Sequence, residues 1–82
     1  MSEKLIEVKL PKWGMMMEEA RIVQWLKKEG DKVAKGENIV ICETEKITNP
    51  VEAPTDGVLY EIKAKVGDVL PVGGVLALIK PE

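Results

Sequence analysis

The stretch ARIVQWLKKEGDKVAKGENIVIC (20–42) reappears, in pattern rather than in letter, as GVLYEIKAKVGDVLPVGGVLALI (57–79). At an offset of 37 positions, Gly30-Asp31 falls on Gly67-Asp68, Val33 on Leu70, Gly36 on Gly73, and Ile39 and Ile41 on Leu76 and Leu78. Paired glycines at paired turns mark backbone positions that need φ > 0, which other residues adopt only at a cost. A chain doubled in this way is constrained to fold as two similar halves. Upstream the register changes: EVKLP (7–11) matches PVEAP (50–54) at an offset of 43, so the first half carries six extra residues, KWGMMM (12–17).

Between the turns lie short apolar and β-branched runs: LIEVKL (5–10), ARIVQWL (20–26), NIVICE (38–43), GVLYEIKAK (57–65) and VLALIK (75–80). Breakers about every eight to twelve residues predict an antiparallel sandwich or barrel. The stretch MMMEEARIVQWLKKEG has some helical flavour, but Ile22, Val23, Trp25 and the doubled counterpart favour strand. The expectation is an all-β fold in one domain, 1–82, built from two four-strand halves about a pseudo-twofold axis.

Composition narrows the chemistry. With 45% hydrophobic and 32% charged residues the chain is that of a globular domain. Its formal net charge of −2, with Lys and Glu interspersed, offers no basic stripe for nucleic acid. No apolar run approaches the length of a membrane span, and the first residues lack the apolar core of a signal peptide. Cys42 is the single cysteine, which excludes an internal disulfide and disfavours a metal site. There is no histidine, so the usual general base and the usual partner of a nucleophilic Ser or Cys are missing. No catalytic residue is assigned, and a self-contained enzyme is not expected.

One segment must reverse without a turn residue to mark it. Seventeen residues separate Gly36 from Pro54, with no strong breaker before Asn49-Pro50. Extended, they would span roughly 55 Å, whereas a domain of this length has a radius of gyration of about 12 Å. The midpoint is Glu45-Lys46, which predicts a hairpin turn over Glu43-Thr44-Glu45-Lys46; a type I turn accepts such residues. The doubling then places the chain ends at the opposite pole from Lys46, and the KWGMMM loop beside the lysine hairpin. An exposed lysine is ordinarily a solubilising charge. Acidic Glu43 and Glu45 favour its ammonium form, which does not suit a catalytic amine. A firmly held, protruding lysine does suit enzymatic modification.

The succession PKWGMMMEEARIVQWLKKEGDKV, KGENI, ETEK, APTDG and VGDVL resembles the lipoyl domains of 2-oxo acid dehydrogenase complexes, from Leu5 to about Lys80. Its most specific element is Glu43-Thr44-Glu45-Lys46, similar to that family's Glu-Thr-Asp-Lys attachment turn with Glu for Asp. The resemblance implies a flattened barrel of two four-stranded antiparallel sheets, with lipoic acid amide-linked to Lys46. Glu43, Thr44, Glu45 and Ile47 would then be recognised around the attachment turn. It implies a non-catalytic carrier, acylated by a thiamine-diphosphate-dependent 2-oxo acid decarboxylase and delivering its acyl group to an acyltransferase core for transfer to coenzyme A. A dihydrolipoyl dehydrogenase and a lipoate-attaching enzyme complete the implied partners, around a monomeric domain that engages neither nucleic acid nor membrane. With no targeting segment visible, the implied location is cytoplasmic, or the mitochondrial matrix in a eukaryote. The ending LIKPE is where a linker to a larger acyltransferase is expected. The alternatives are a biotin carrier domain, whose lysine lies within Met-Lys-Met rather than between Glu45 and Ile47, and a cofactor-free β-sandwich binding module.

Trp13, Gly14, Met15 and Met16, with Met17, form either packing over one end of the core or a loop by which the decarboxylase recognises its carrier. Both hold if Trp13 is exposed and some methionines are buried. Trp25 is expected in the core, and Cys42, beside Val40, as a buried inert thiol. Glu18, Glu19, Glu43 and Glu45 give the lysine end a negative cast. Departures from the family pattern are Ile47 for a small residue, Ala20 where Gly is common, and Pro50 with Asn49 in the strand after the turn. Pro50 demands an edge or non-bonded position, and Asn49 shares the face of Ile47 and Val51, one otherwise expected to be buried.

Overall fold

Each apolar run becomes a strand in the computed structural model, which describes residues 4–82. In chain order the strands are β1 (Ile6–Lys9), β2 (Glu19–Trp25), β3 (Lys32–Val33), β4 (Asn38–Glu43), β5 (Thr48–Glu52), β6 (Gly57–Ile62), β7 (Val69–Pro71) and β8 (Val75–Pro81). They form two four-stranded antiparallel sheets, ordered β1-β8-β6-β3 and β5-β4-β2-β7. No helix occurs among the described residues. The radius of gyration is 12.3 Å and the longest dimension 41 Å. An unbroken strand of about 55 Å from Gly36 to Pro54 therefore could not fit.

The doubling is carried into every ladder. The offset of 37 turns β2, β3 and β4 into β6, β7 and β8, and the offset of 43 turns β1 into β5. Under that exchange one sheet order becomes the other. The central pairs correspond residue by residue: Arg21↔Glu43, Ile22↔Cys42 and Trp25↔Val40 in one sheet are Val58↔Lys80, Leu59↔Ile79 and Ile62↔Ala77 in the other. Even the bulges correspond, since Val23 is skipped between Ile22 and Gln24 as Tyr60 is skipped between Leu59 and Glu61. The turn glycines share one conformation, with φ of 94° and 96° at Gly30 and Gly67, and 87° and 86° at Gly36 and Gly73. Asp31 and Asp68 close their turns alike, each carboxylate accepting from the N–H three residues back, at 2.9 Å in both.

Inward residues of both halves meet in one core that includes Ile22, Ile39 and Cys42 and their counterparts Leu59, Leu76 and Ile79. No polar side chain is buried with them among the described residues. β5 is an edge strand, and the Thr44 N–H to Ile47 O bond of 2.8 Å makes 44 and 47 a bonded pair. Counting along the ladder, Glu43↔Thr48 is non-bonded, Cys42↔Asn49 bonded, and Ile41↔Pro50 non-bonded. The ring nitrogen of Pro50 thus faces away from β4, where no hydrogen bond is lost and further strand pairing is discouraged. Asn49 is half-buried and Val51 buried, while Ile47 is partly exposed.

Ala20 and Gly57 occupy equivalent positions with different freedom. A Cβ on Gly57 would stand 2.3 Å from the backbone oxygen of Lys80 and 2.8 Å from Ile79 Cγ2. β6 and β8 can approach this closely only without a side chain there. Gly57→Ala is expected to lower stability by about 1–3 kcal/mol, read as a reduced midpoint in thermal or urea unfolding. Ala20→Gly, which relieves nothing, should cost only about 0.5–1 kcal/mol.

Candidate functional site

The β4–β5 hairpin is closed by a side chain where sequence reasoning left the closure to the backbone. The turn spans Thr44–Ile47, one residue later than expected, because Glu43 is still paired with Thr48 in the ladder. Thr44 N–H donates to Ile47 O at 2.8 Å. Its Oγ1 accepts from Lys46 N–H at 3.2 Å and Ile47 N–H at 3.1 Å, and its hydroxyl lies 3.4 Å from Ile47 O. The hydroxyl takes the place that a backbone carbonyl has in a type I turn. Neither Gly nor a positive φ is needed, and none occurs there.

Glu45 and Lys46 stand exposed at the tip, and among the described residues the Lys46 ammonium makes no salt bridge. Ile47, 43% exposed, follows on the way down. Glu43 sits at the hairpin base, paired across the sheet with Arg21 on β2 and joined to it by a salt bridge. Arg21 was missed by the sequence reading. Alternation places it on the outer face of β2, but its partner follows only from register.

Register also places the inserted loop. Arg21 lies level with Glu43, so Glu19, the first residue of β2, lies level with the turn, and the loop that precedes it caps the same end. A tight turn closed by Met17 N–H to Gly14 O at 3.1 Å projects Met15 and Met16, which are 91% and 88% exposed. Met17 anchors the loop: it packs against the core, and its sulfur accepts the Trp13 N–H at 3.3 Å. Trp13 also packs against the core and is half-buried, as the packing alternative has it. A large indole flanked by Pro11 and Gly14 covers the end of the core more effectively than the methionines before Met17. The start of β1 and the end of β8 lie at the other pole, where Ile6 pairs with Ile79, Gly57 pairs with Pro81, and Lys32 bridges to Glu82 at 3.6 Å.

The remaining candidates serve the scaffold. Trp25 is half-buried against the core and its Nε1 donates to Ala64 O at 2.8 Å. Cys42 is fully buried, and burial pushes its thiol up to about 11. Native-state alkylation of Cys42 at pH 8 should accordingly be limited by unfolding, with a rate that rises in step with denaturant. Among the described residues no cluster of acidic or thiol groups could hold a metal ion.

Lys46 is thus displayed at the tip of a hairpin whose turn is braced by the Thr44 side chain. The sequence profile of the family described as "Biotin-requiring enzyme" matches residues 6–79. A dihydrolipoyllysine-residue acetyltransferase component of an acetoin cleaving system from Pseudomonas putida is 49% identical over 70 residues, covering 85% of this chain and 19% of the relative. The chain spans about a fifth of the length of the acetoin-cleaving relatives that it matches. The solution structure of the lipoyl domain of the 2-oxoglutarate dehydrogenase complex from Azotobacter vinelandii superposes with a TM-score of 0.73 at 33% identity, covering 94% of this chain and 99% of that one. The urea carboxylase of Kluyveromyces lactis contains the same fold, with a TM-score of 0.79 at 24% identity over 96% of this chain and 6% of that one. The chain belongs to the biotinyl/lipoyl family, and within it to the lipoyl domains, whose prosthetic group is lipoic acid bound covalently to lysine. It is a carrier rather than a catalyst.

Thr44→Val keeps the shape and removes the hydroxyl that accepts two turn N–H groups. It is expected to cost about 1 kcal/mol of stability and to broaden the amide resonances of Glu45, Lys46 and Ile47, whereas Thr44→Ser retains both properties.

Proposed function

We propose that Lys46 is the lysine that carries lipoic acid, in amide linkage, and that the domain moves acyl groups within a 2-oxo acid dehydrogenase-type complex. The observation that carries this reading is the exposed, unbridged Lys46 at the tip of a hairpin braced by Thr44. The residues fit the group: among the described residues no salt bridge engages the amine, and the turn holds its backbone without using the lysine side chain. Lipoic acid supplies a disulfide that takes up an acyl group together with two electrons. The protein supplies position. Thr44 fixes the direction in which the arm leaves, the outer face around Glu43 and Glu45 presents the turn for recognition, and amide formation removes the Lys46 charge. The exposed thioethers of Met15 and Met16 offer an apolar contact on the same end to a thiamine-diphosphate-dependent decarboxylase. An acyltransferase core, a dihydrolipoyl dehydrogenase and a lipoate-attaching enzyme are the other partners of this reading.

A second reading of the parent complex is supported by the relatives at 49% and 42% identity, both components of an acetoin cleaving system. On that reading the acyl donor is formed by cleavage of a hydroxyketone rather than by decarboxylation of a 2-oxo acid. The lipoylated domain, offered to a thiamine-dependent enzyme of each kind, separates the two by which enzyme acylates it.

Exposure to an active lipoate-attaching enzyme should add one lipoyl group, with Lys46 as the modified residue in peptide mass spectrometry. Lys46→Ala should remain folded, with a melting temperature within the scatter of surface substitutions (about 0.5 kcal/mol either way), and accept no lipoyl group. Modification at any other lysine would reject the assignment.

A further inference from the structure

Arg21 and Glu43 form a salt bridge on the outer face of the sheet, at the base of the lysine hairpin. Their side chains are 57% and 35% exposed, and pairs in that setting contribute little to stability. The bridge is also foreign to the doubling. The equivalent cross-strand pair at the other pole is Val58 and Lys80, which cannot form one. What distinguishes the two poles is Lys46, three residues beyond Glu43 and without a salt bridge among the described residues.

We propose that Arg21 is a positioning residue that holds the Glu43 carboxylate on the face of the sheet and so keeps the Lys46 amine free to react. The proposal rests on Lys46 as the acceptor of the lipoyl group. Amide formation needs the neutral amine as nucleophile, and an adjoining carboxylate favours the ammonium. Glu43 stands at the base of the same hairpin, three residues before Lys46, and without Arg21 it has no other cation on its own or the neighbouring strands. β5 offers Thr48 there and β7 offers Val69 and Pro71. The other charges at this end are Glu45 in the turn, Glu18 and Glu19 at the start of β2, and Lys12 in the inserted loop. Glu45 precedes Lys46 directly and remains whatever happens to Arg21, so Glu43 is the carboxylate under Arg21 control.

The test reads the amine itself. The whole domain is trace-labelled with the N-hydroxysuccinimide ester of acetic acid. The neutral Nζ attacks the ester carbonyl, the N–C bond forms as the C–O bond to the leaving group breaks, and the amine proton passes to buffer. Peptide mass spectrometry gives the labelling rate of Lys46 relative to Lys35, an exposed lysine at the opposite pole. Arg21→Gln is expected to lower that ratio about two- to threefold near pH 8 and to move the Lys46 pH–rate curve to higher pH. Arg21→Lys should stay close to the parent, and Arg21→Gln with Glu43→Gln should restore the ratio. An unchanged ratio in Arg21→Gln overturns the proposal, and so does a loss that persists in the double variant. Chemical labelling does not depend on lipoylation: attachment of lipoate to another lysine would defeat the proposed function, while the ratio would still decide the role of Arg21.

Discussion

Burial of Ile22, Ile39 and Cys42 in one core with Leu59, Leu76 and Ile79 is the constraint on which the rest depends. These six positions are three pairs related by the internal doubling, contributed by the central strands of both sheets. Because equivalent residues fill equivalent space, the two sheets close on each other with no buried polar group to satisfy among the described residues. Burial of such side chains is worth about 1.5–3 kcal/mol each, which a domain of this size needs. The turns follow from that closure. The Gly-Asp pairs at Gly30-Asp31 and Gly67-Asp68 and the glycines at Gly36 and Gly73 bring each strand back over the core at matching heights.

On this frame the lysine hairpin needs little stabilisation of its own. Its ladder from Asn38↔Glu52 to Glu43↔Thr48 is anchored by buried Val40, Cys42 and Val51, so only four residues protrude, and the Thr44 hydroxyl accepts the N–H groups of Lys46 and Ile47. The barrel and the Thr44 bonds thus fix the backbone beneath Lys46 and leave its side chain in solvent. The inserted loop divides its labour in the same way. Trp13 and Met17 hold it to the core, while Met15 and Met16 face solvent at the lysine end.

Much of this was legible before the coordinates. Matched glycines revealed the doubling because a left-handed turn leaves a specific residue behind, and chain length against domain size demanded the reversal at Glu45-Lys46. What was hidden depends on register. β3 and β7 are two and three residues long, too short for alternation to show, and Pro71 argues against a strand. The bulges at Val23 and Tyr60 put neighbouring residues of one strand on the same side, which a strict period of two misassigns. The bridge from Arg21 to Glu43 joins residues that only strand pairing brings together. The one-residue displacement of the turn reflects a threonine hydroxyl replacing a carbonyl, a choice that propensity does not record. That Trp13 and Met17 cover the end of the core while Met15 and Met16 face solvent is a division of the loop that its composition does not record.

Under the doubling, the strand that leads into the lysine turn, β4, corresponds to β8, which ends at Pro81, and the strand that leaves it, β5, corresponds to β1, which begins at Ile6. The lysine turn is therefore the seam between the two repeats. The other connections recur in both halves, except that the β1–β2 loop carries the six extra residues KWGMMM. At the paired glycine turns a change in one half must stay compatible with geometry that the other half shares. At the seam and in the inserted loop it need not. A duplicated barrel thus acquires, at no cost to its core, two loops at one pole that are free of the repeat's own rules.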